Sequence, residues 1–305
     1  MSGALQGVGI VAVLIVLGWV LGRTKVLPAD ASGTLVSFAY WAATPALLFS
    51  VLASQDLHGI FGAPLLVAAV SGFGTALIFV LPMLLLRPSK ANLTLGAMSS
   101  SLNNIAYIGI PIATFVLGSP HFIVPTLAFQ LGLFTPMFFT LADLVGSKKT
   151  SGITVVAKTV FTNPLVIAAI LAMVWNISGI VVPGFLLELT DFLGSAGPPT
   201  VLVAFGASLV GRSVHVGKQV GVLVAWASFG KLAIQPLIAW SLGLALGMPH
   251  EELVAITILA ALPTAQNAFI AATRAGAGQD VAQGTVLVTS ALSLPVILLL
   301  AALLI

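Results

Sequence analysis

Long apolar runs separated by short polar stretches fill this chain. Scanned with a window of about 19 residues, they predict helices over 4–22, 33–53, 60–86, 92–117, 122–145, 154–176, 186–210, 217–247, 252–273 and 281–304, numbered spans 1 to 10. The pattern is weakest over 177–198, where GIVVPGFLLELTDFLGSAGPP carries Pro and Gly at both ends and two acids inside. Composition then fixes what kind of helices these are. Of the 305 residues, 59% are apolar and 6% charged, and mean hydropathy is +1.17. That leaves too little polar surface to cover a water-soluble globule, which excludes a soluble enzyme and a disordered chain. The expectation is one all-α integral membrane domain over 1–305. A membrane-crossing helix takes about 20 residues, so little chain remains for anything else.

The first apolar run has no basic residue before it, and Arg23 and Lys25 follow it. It reads as a retained helix, not a signal peptide. Cysteine is absent, which removes disulfides and thiolate chemistry. Charge sorts by connection. Arg23, Lys25, Arg87, Lys90, Lys148, Lys149, Lys158, Arg212, Lys218 and Arg274 follow odd-numbered spans. Asp56, His58, His121, Glu188, Asp191, His250, Glu251 and Glu252 are assigned to the connections after even-numbered spans, which hold no Lys or Arg. By the positive-inside rule the odd-numbered connections are cytoplasmic and both termini lie outside. The basic balance therefore implies a lipid bilayer, not a nucleic acid, as partner.

Prolines suggest an internal repeat. Pro45, Pro82, Pro111 and Pro136 are spaced by 37, 29 and 25 residues, and Pro199, Pro236, Pro263 and Pro295 by 37, 27 and 32. Pro45 opens PALLFSVLAS and Pro199 opens PTVLVAFGAS. Spans 1–5 (1–145) and 6–10 (154–305) thus read as two copies of one unit. Five spans per copy make the second copy inverted, as in many secondary transporters.

Spans 4 and 9 are the interrupted ones. SSSLNNIAYIGIPIA places Asn103, Asn104, Gly109 and Pro111 at the depth of the bilayer, where Pro111 cannot donate to the carbonyl of Tyr107. ALPTAQNAFIAATRAG places Pro263, Thr264, Gln266 and Asn267 correspondingly, with Pro263 expected to free the carbonyl of Leu259. Paired breaks of this kind mark a midplane site. If the two broken helices cross, half-helix N-termini turn free N–H groups toward one spot, which suits an anion.

NNIAYIGIPIA resembles the asparagine-to-glycine-proline motif of the auxin efflux carrier family, and LPTAQNAFIAATRAG with GTVLVTSALSLPVILLL resembles its ninth and tenth helices. The similarity runs along essentially the whole chain, including FTNP in span 6. It implies a ten-helix crossover fold, with spans 1, 2, 6 and 7 as scaffold and spans 3–5 and 8–10 as the transport unit. It further implies elevator-like movement of small organic anions in a bacterial inner membrane, and a homodimer through the scaffold. The long central cytoplasmic loop of many plant carriers is missing here. On this view Asn103, Asn104, Tyr107, Gly109, Pro111, Pro263, Thr264, Gln266 and Asn267 bind substrate, supported by Pro45, Gln130, Pro199 and Lys231.

Charge also bears on coupling. Every acid is assigned to a connection or a helix end, Asp143 lying closest to a span, so no carboxylate is available for a midplane proton relay. Sodium held by amides and freed carbonyls, as in the related bile-acid symporters, remains an alternative. Lys231 is the lone cation inside a span, where a charge costs about 2.5–3.5 kcal/mol. It is either functional or snorkels to the headgroups. The four histidines share no ligand spacing, so neither metal nor cofactor is expected. An intramembrane protease would need two membrane aspartates or a Ser-His dyad at depth, and neither is present. A receptor on the same fold stays open as a second class.

Overall fold

The computed structural model describes residues 2–28, 30–54, 62–146, 162, 164–208, 210, 217–265 and 267–304. Among these no strand forms, and apolar helices occupy the described part of each predicted run. Ala63–Leu86, Pro120–Val145, Lys218–Ala245 and Gln279–Leu304 are each long and apolar enough to cross a membrane. Contacts divide the chain into two compact units.

The first unit comprises Met1–Gly59, Ala106–His121 and Phe161–Ser213. Its helix Ser2–Arg23 packs on Gly197–Ser208 through glycine. A Cβ on Gly18 would collide with the carbonyl of Val203, and one on Gly206 with that of Ile15. This backbone-to-backbone approach is how membrane helices gain packing where no hydrophobic driving force separates lipid from protein. Thr44–Ser54 packs on Pro164–Ser178, where Asn176 Nδ2 donates to the carbonyls of Leu52 and Ala53, both at 3.1 Å.

The irregular 177–198 stretch is more helical than its composition suggests. Gly184–Ser195 is a helix, and Glu188 and Asp191, assigned from sequence to a connection, lie on its exposed face. Pro183 precedes the helix and Pro198 falls in the first turn of Gly197–Ser208. There a missing N–H costs nothing, so these prolines bound helices without breaking them.

The second unit comprises Ile60–Ile105, Phe122–Val160 and Val214–Ile305. Its core includes a ring cluster centred on buried Phe134, with Phe129 at 4.9 Å, Phe138 at 4.9 Å and Phe73 at 5.0 Å between centroids. Gly96 is filled by the ring of Phe79, which a Cβ there would strike.

Prolines in both units share a local device. π turns at Ala39–Ala43, Ile105–Gly109, Gln130–Phe134 and Gly230–Ile234 each end two residues before a proline: Pro45, Pro111, Pro136 and Pro236. The carbonyl four residues before each proline, the one its ring would crowd, is the central residue of the turn. Thr44, Thr135 and Gln235 donate five residues back, to Ala39, Gln130 and Gly230. Pro82 and Pro295, by contrast, sit inside α-helices.

The glycine seam in the first unit makes a specific prediction. Gly206→Leu and Gly18→Leu should each destabilise the protein by about 1–3 kcal/mol through overpacking, read as a lower melting temperature in detergent. Gly33→Leu, with nothing within 4 Å of its Cβ position, should melt as wild type.

Candidate functional site

Both interrupted helices break as expected, the second at Pro263 itself and the first ahead of Pro111. Lys90–Ser99 ends at a turn over Ser100 and Ser101, Leu102 to Asn104 runs extended, and helical structure resumes at Ile105. Pro111 lies beyond the break, in Ile110–Phe115, where the preceding π turn Ile105–Gly109 accommodates its ring. The second break follows His250–Ala260, runs through Leu262 to Ala265, and precedes Asn267–Ala275. The Leu259 carbonyl is not freed by Pro263, because the N–H of Leu262 donates to it at 3.3 Å.

The two extended segments satisfy one another. Asn104 N–H donates to the Pro263 carbonyl and Ala265 N–H to the Leu102 carbonyl, both at 2.9 Å, so that Asn103 and Thr264 form an antiparallel bridge. Pairing of this kind is what non-helical backbone requires at bilayer depth, where water is not available to meet its polar groups. Side chains complete the accounting. Gln130, buried on its π turn, accepts from Asn103 N–H at 2.7 Å through Oε1 and donates from Nε2 to the Asn103 carbonyl at 2.9 Å. It serves Asn103 as a neighbouring strand would. Thr289 Oγ1 accepts from Thr264 N–H at 3.0 Å.

The half-helices that enter the breaks turn their carbonyl ends, the negative ends of their dipoles, toward them. Those carbonyls meet donors. Thr264 Oγ1 donates to Ser99 at 2.6 Å, Gln235 Nε2 to Ser101 at 3.0 Å, and Lys231 Nζ to Ala260. Lys231 is fully buried at 0% exposure, so it does not snorkel. Its Nζ caps the end of His250–Ala260.

Of the remaining candidates, Asn103 and Asn104 are buried, and their Oδ1 atoms have no hydrogen-bond partner. Asn267 is half-buried at the start of its helix, and Gln266 lies outside the described residues. Tyr107, Gly109 and Pro111 fall in the first unit, as do Pro45 and Pro199. Tyr107 is half-buried there, its ring 6.3 Å from that of Tyr40. Gln235 and Thr289 were not anticipated. The signal for Gln235 was an amide directly before an intramembrane proline, in AIQP. Thr289 in VLVTSALS looks like an ordinary packing hydroxyl. Among the described residues no group of His, Asp and Glu is placed to hold a metal.

Apolar membrane-length helices with a buried polar centre, built where two helices lose their regular hydrogen bonds, define an integral membrane protein with a built-in polar site. The chain belongs to the membrane transport protein family, which matches it over residues 5–141 and 146–301 and is the auxin efflux carrier family that the span 4 and span 9 motifs resemble. It is similar to a Rhizobium meliloti (strain 1021) protein named "Putative malonate transporter", at 28% identity over 92% of this chain and 89% of the relative. It is also similar to an "Uncharacterized transporter" of Methanothermobacter thermautotrophicus, at 24% identity over 96% of this chain and 95% of that one.

Gln130 should carry much of the first break's stability. Gln130→Leu leaves the Asn103 N–H without its acceptor, at about 1–3 kcal/mol, while the Asn103 carbonyl keeps the Ile105 N–H at 2.8 Å, and should lower the melting temperature accordingly. Gln130→Glu keeps an acceptor for the N–H and should lose less.

Proposed function

We propose that this protein is a secondary transporter or facilitator of a small carboxylate, bound at the paired breaks of spans 4 and 9. The observation that carries the reading is the capping of the carbonyl ends at both breaks by Thr264, Gln235 and Lys231. With the negative ends of both entering half-helices met by donors, the local field no longer opposes an anion. Asn103 and Asn104 stand at the same place with amides that can turn Nδ2 toward a carboxylate. Membership of a membrane transport family and the likeness to a protein named for malonate support the substrate class.

The mechanism proposed is an elevator. The second unit holds both paired segments and most of spans 3, 5, 8, 9 and 10, and would be the moving body. The first unit holds spans 1, 2, 6 and 7, and would be the scaffold, although Ala106–His121 of span 4 groups with it. Proline spacing supports two inverted copies, 1–145 and 154–305. Loop charge supports odd-numbered connections in the cytoplasm of a bacterial inner membrane and both termini outside.

Proteoliposomes test the function. Labelled malonate or a small monocarboxylate should exchange across the membrane with saturation, and binding without translocation would indicate a sensor instead. Asn104→Ala and Asn267→Ala should each weaken substrate binding by about 10- to 100-fold while leaving a folded protein. Lower melting temperatures with an unchanged dissociation constant would show those amides to be structural. Lys231→Met should fold yet transport poorly, and wild-type flux would remove Lys231 from the site.

Orientation has its own test in this cysteine-free chain. His121 and Lys90 are both exposed, and an impermeant thiol reagent added to intact cells should label His121→Cys and spare Lys90→Cys. The reverse pattern would invert the topology.

A further inference from the structure

The break contains an acceptor that a bare anion leaves unmet. Gln235 is buried at 1% exposure, with Nε2 donating to the Ser101 carbonyl at 3.0 Å. That bond fixes the amide, because turning it over would set two oxygens against each other. Its Oε1 is therefore a fixed acceptor, and it is buried without a hydrogen-bond partner. Asn103 and Asn104 differ, since their unpartnered Oδ1 atoms can exchange places with Nδ2 to greet a carboxylate. Gln235 has no such freedom while it holds Ser101.

An unmet buried acceptor is costly, and natural interiors rarely leave one. A metal cation could meet it, but among the described residues no group of His, Asp and Glu is placed to hold one. A donor can meet it: a bound water while the site is empty, or a group on the ligand that displaces that water.

We propose that Gln235 is a specificity-determining residue. The ligand it selects is a carboxylate bearing its own hydrogen-bond donor a few bonds from the carboxylate: a hydroxyl, an amide N–H or an un-ionised second carboxyl. This rests on the reading that a carboxylate binds at the breaks. A site built to pair with a donor rejects the analogue lacking it, because the acceptor is then stranded.

Calorimetric titration of the full-length protein in nanodiscs tests this with matched compounds at one pH: glycolate against acetate, and 3-hydroxypropionate and malonamate against propionate. The donor-bearing member of each pair should bind about 10- to 100-fold more tightly. In Gln235→Leu and Gln235→Met that ratio should fall toward one, whereas a merely structural role would weaken both members together and keep the ratio. Should both variants misfold, the wild-type ratio still decides. Equal binding within every pair overturns the inference and leaves the carboxylate reading standing, as does tight sodium-dependent binding of acetate and propionate. Failure of all five compounds to bind overturns both.

Discussion

The pairing of Leu102–Asn104 with Pro263–Ala265 is the contact on which the second unit depends. An α-helix satisfies its own backbone, which is why it can cross a bilayer, and a helix that stops midway gives up that property. Two helices that stop together can lend each other what they lost. The exchange covers the middle of each break, and Gln130, Thr289, Thr264, Gln235 and Lys231 cover much of the rest from neighbouring helices. Irregular backbone at depth is thus sustained by polar side chains inside otherwise apolar helices. Such residues would have no place facing lipid.

The π turns explain how those side chains coexist with proline. Gln130 opens one π turn, Lys231 sits second in another, and Gln235 follows that one directly. Each turn lies where the ring of Pro136 or Pro236 would otherwise crowd a carbonyl. Widening the helix there relieves the crowding without ending the helix. The same turn that accommodates the proline therefore carries the residues that reach the breaks. Proline and amide are two parts of one local solution, and their adjacency in AIQP is its trace in the sequence.

Sequence carried the membrane character, the helical runs and the identity of the two interrupted spans, because hydropathy and the clustering of amides with glycine and proline are local properties. It located the second break at Pro263 and misplaced the first. Proline drew attention to residues 107–111, yet the chain is extended at Leu102 to Asn104, because the break is stabilised by a partner segment about 160 residues away. No local pattern shows that Asn103 must meet Thr264. Nor could it decide between the two roles of Lys231. Snorkelling depends on depth and on free space along the helix, whereas burial against the Ala260 carbonyl depends on where His250–Ala260 ends. Glu188 and Asp191 were counted with a connection although the run 186–210 already held them, and they lie on the exposed face of Gly184–Ser195.

The sign of the site follows from which backbone ends are met and which atoms are left over. Three donors are spent on carbonyls, and that arrangement would be wasteful around a cation, which freed carbonyls coordinate well. The unpartnered atoms at the breaks are oxygens of Ser99, Asn103, Asn104 and Gln235. The two asparagine amides can invert to become donors, the serine hydroxyl can donate or accept, and only Gln235 is held as an acceptor by its bond to Ser101. A site with its carbonyl ends capped, several adaptable groups and a single fixed acceptor is complementary to a carboxylate that also donates. It is poorly matched to a bare cation, and it is incompletely matched to an anion with acceptors alone.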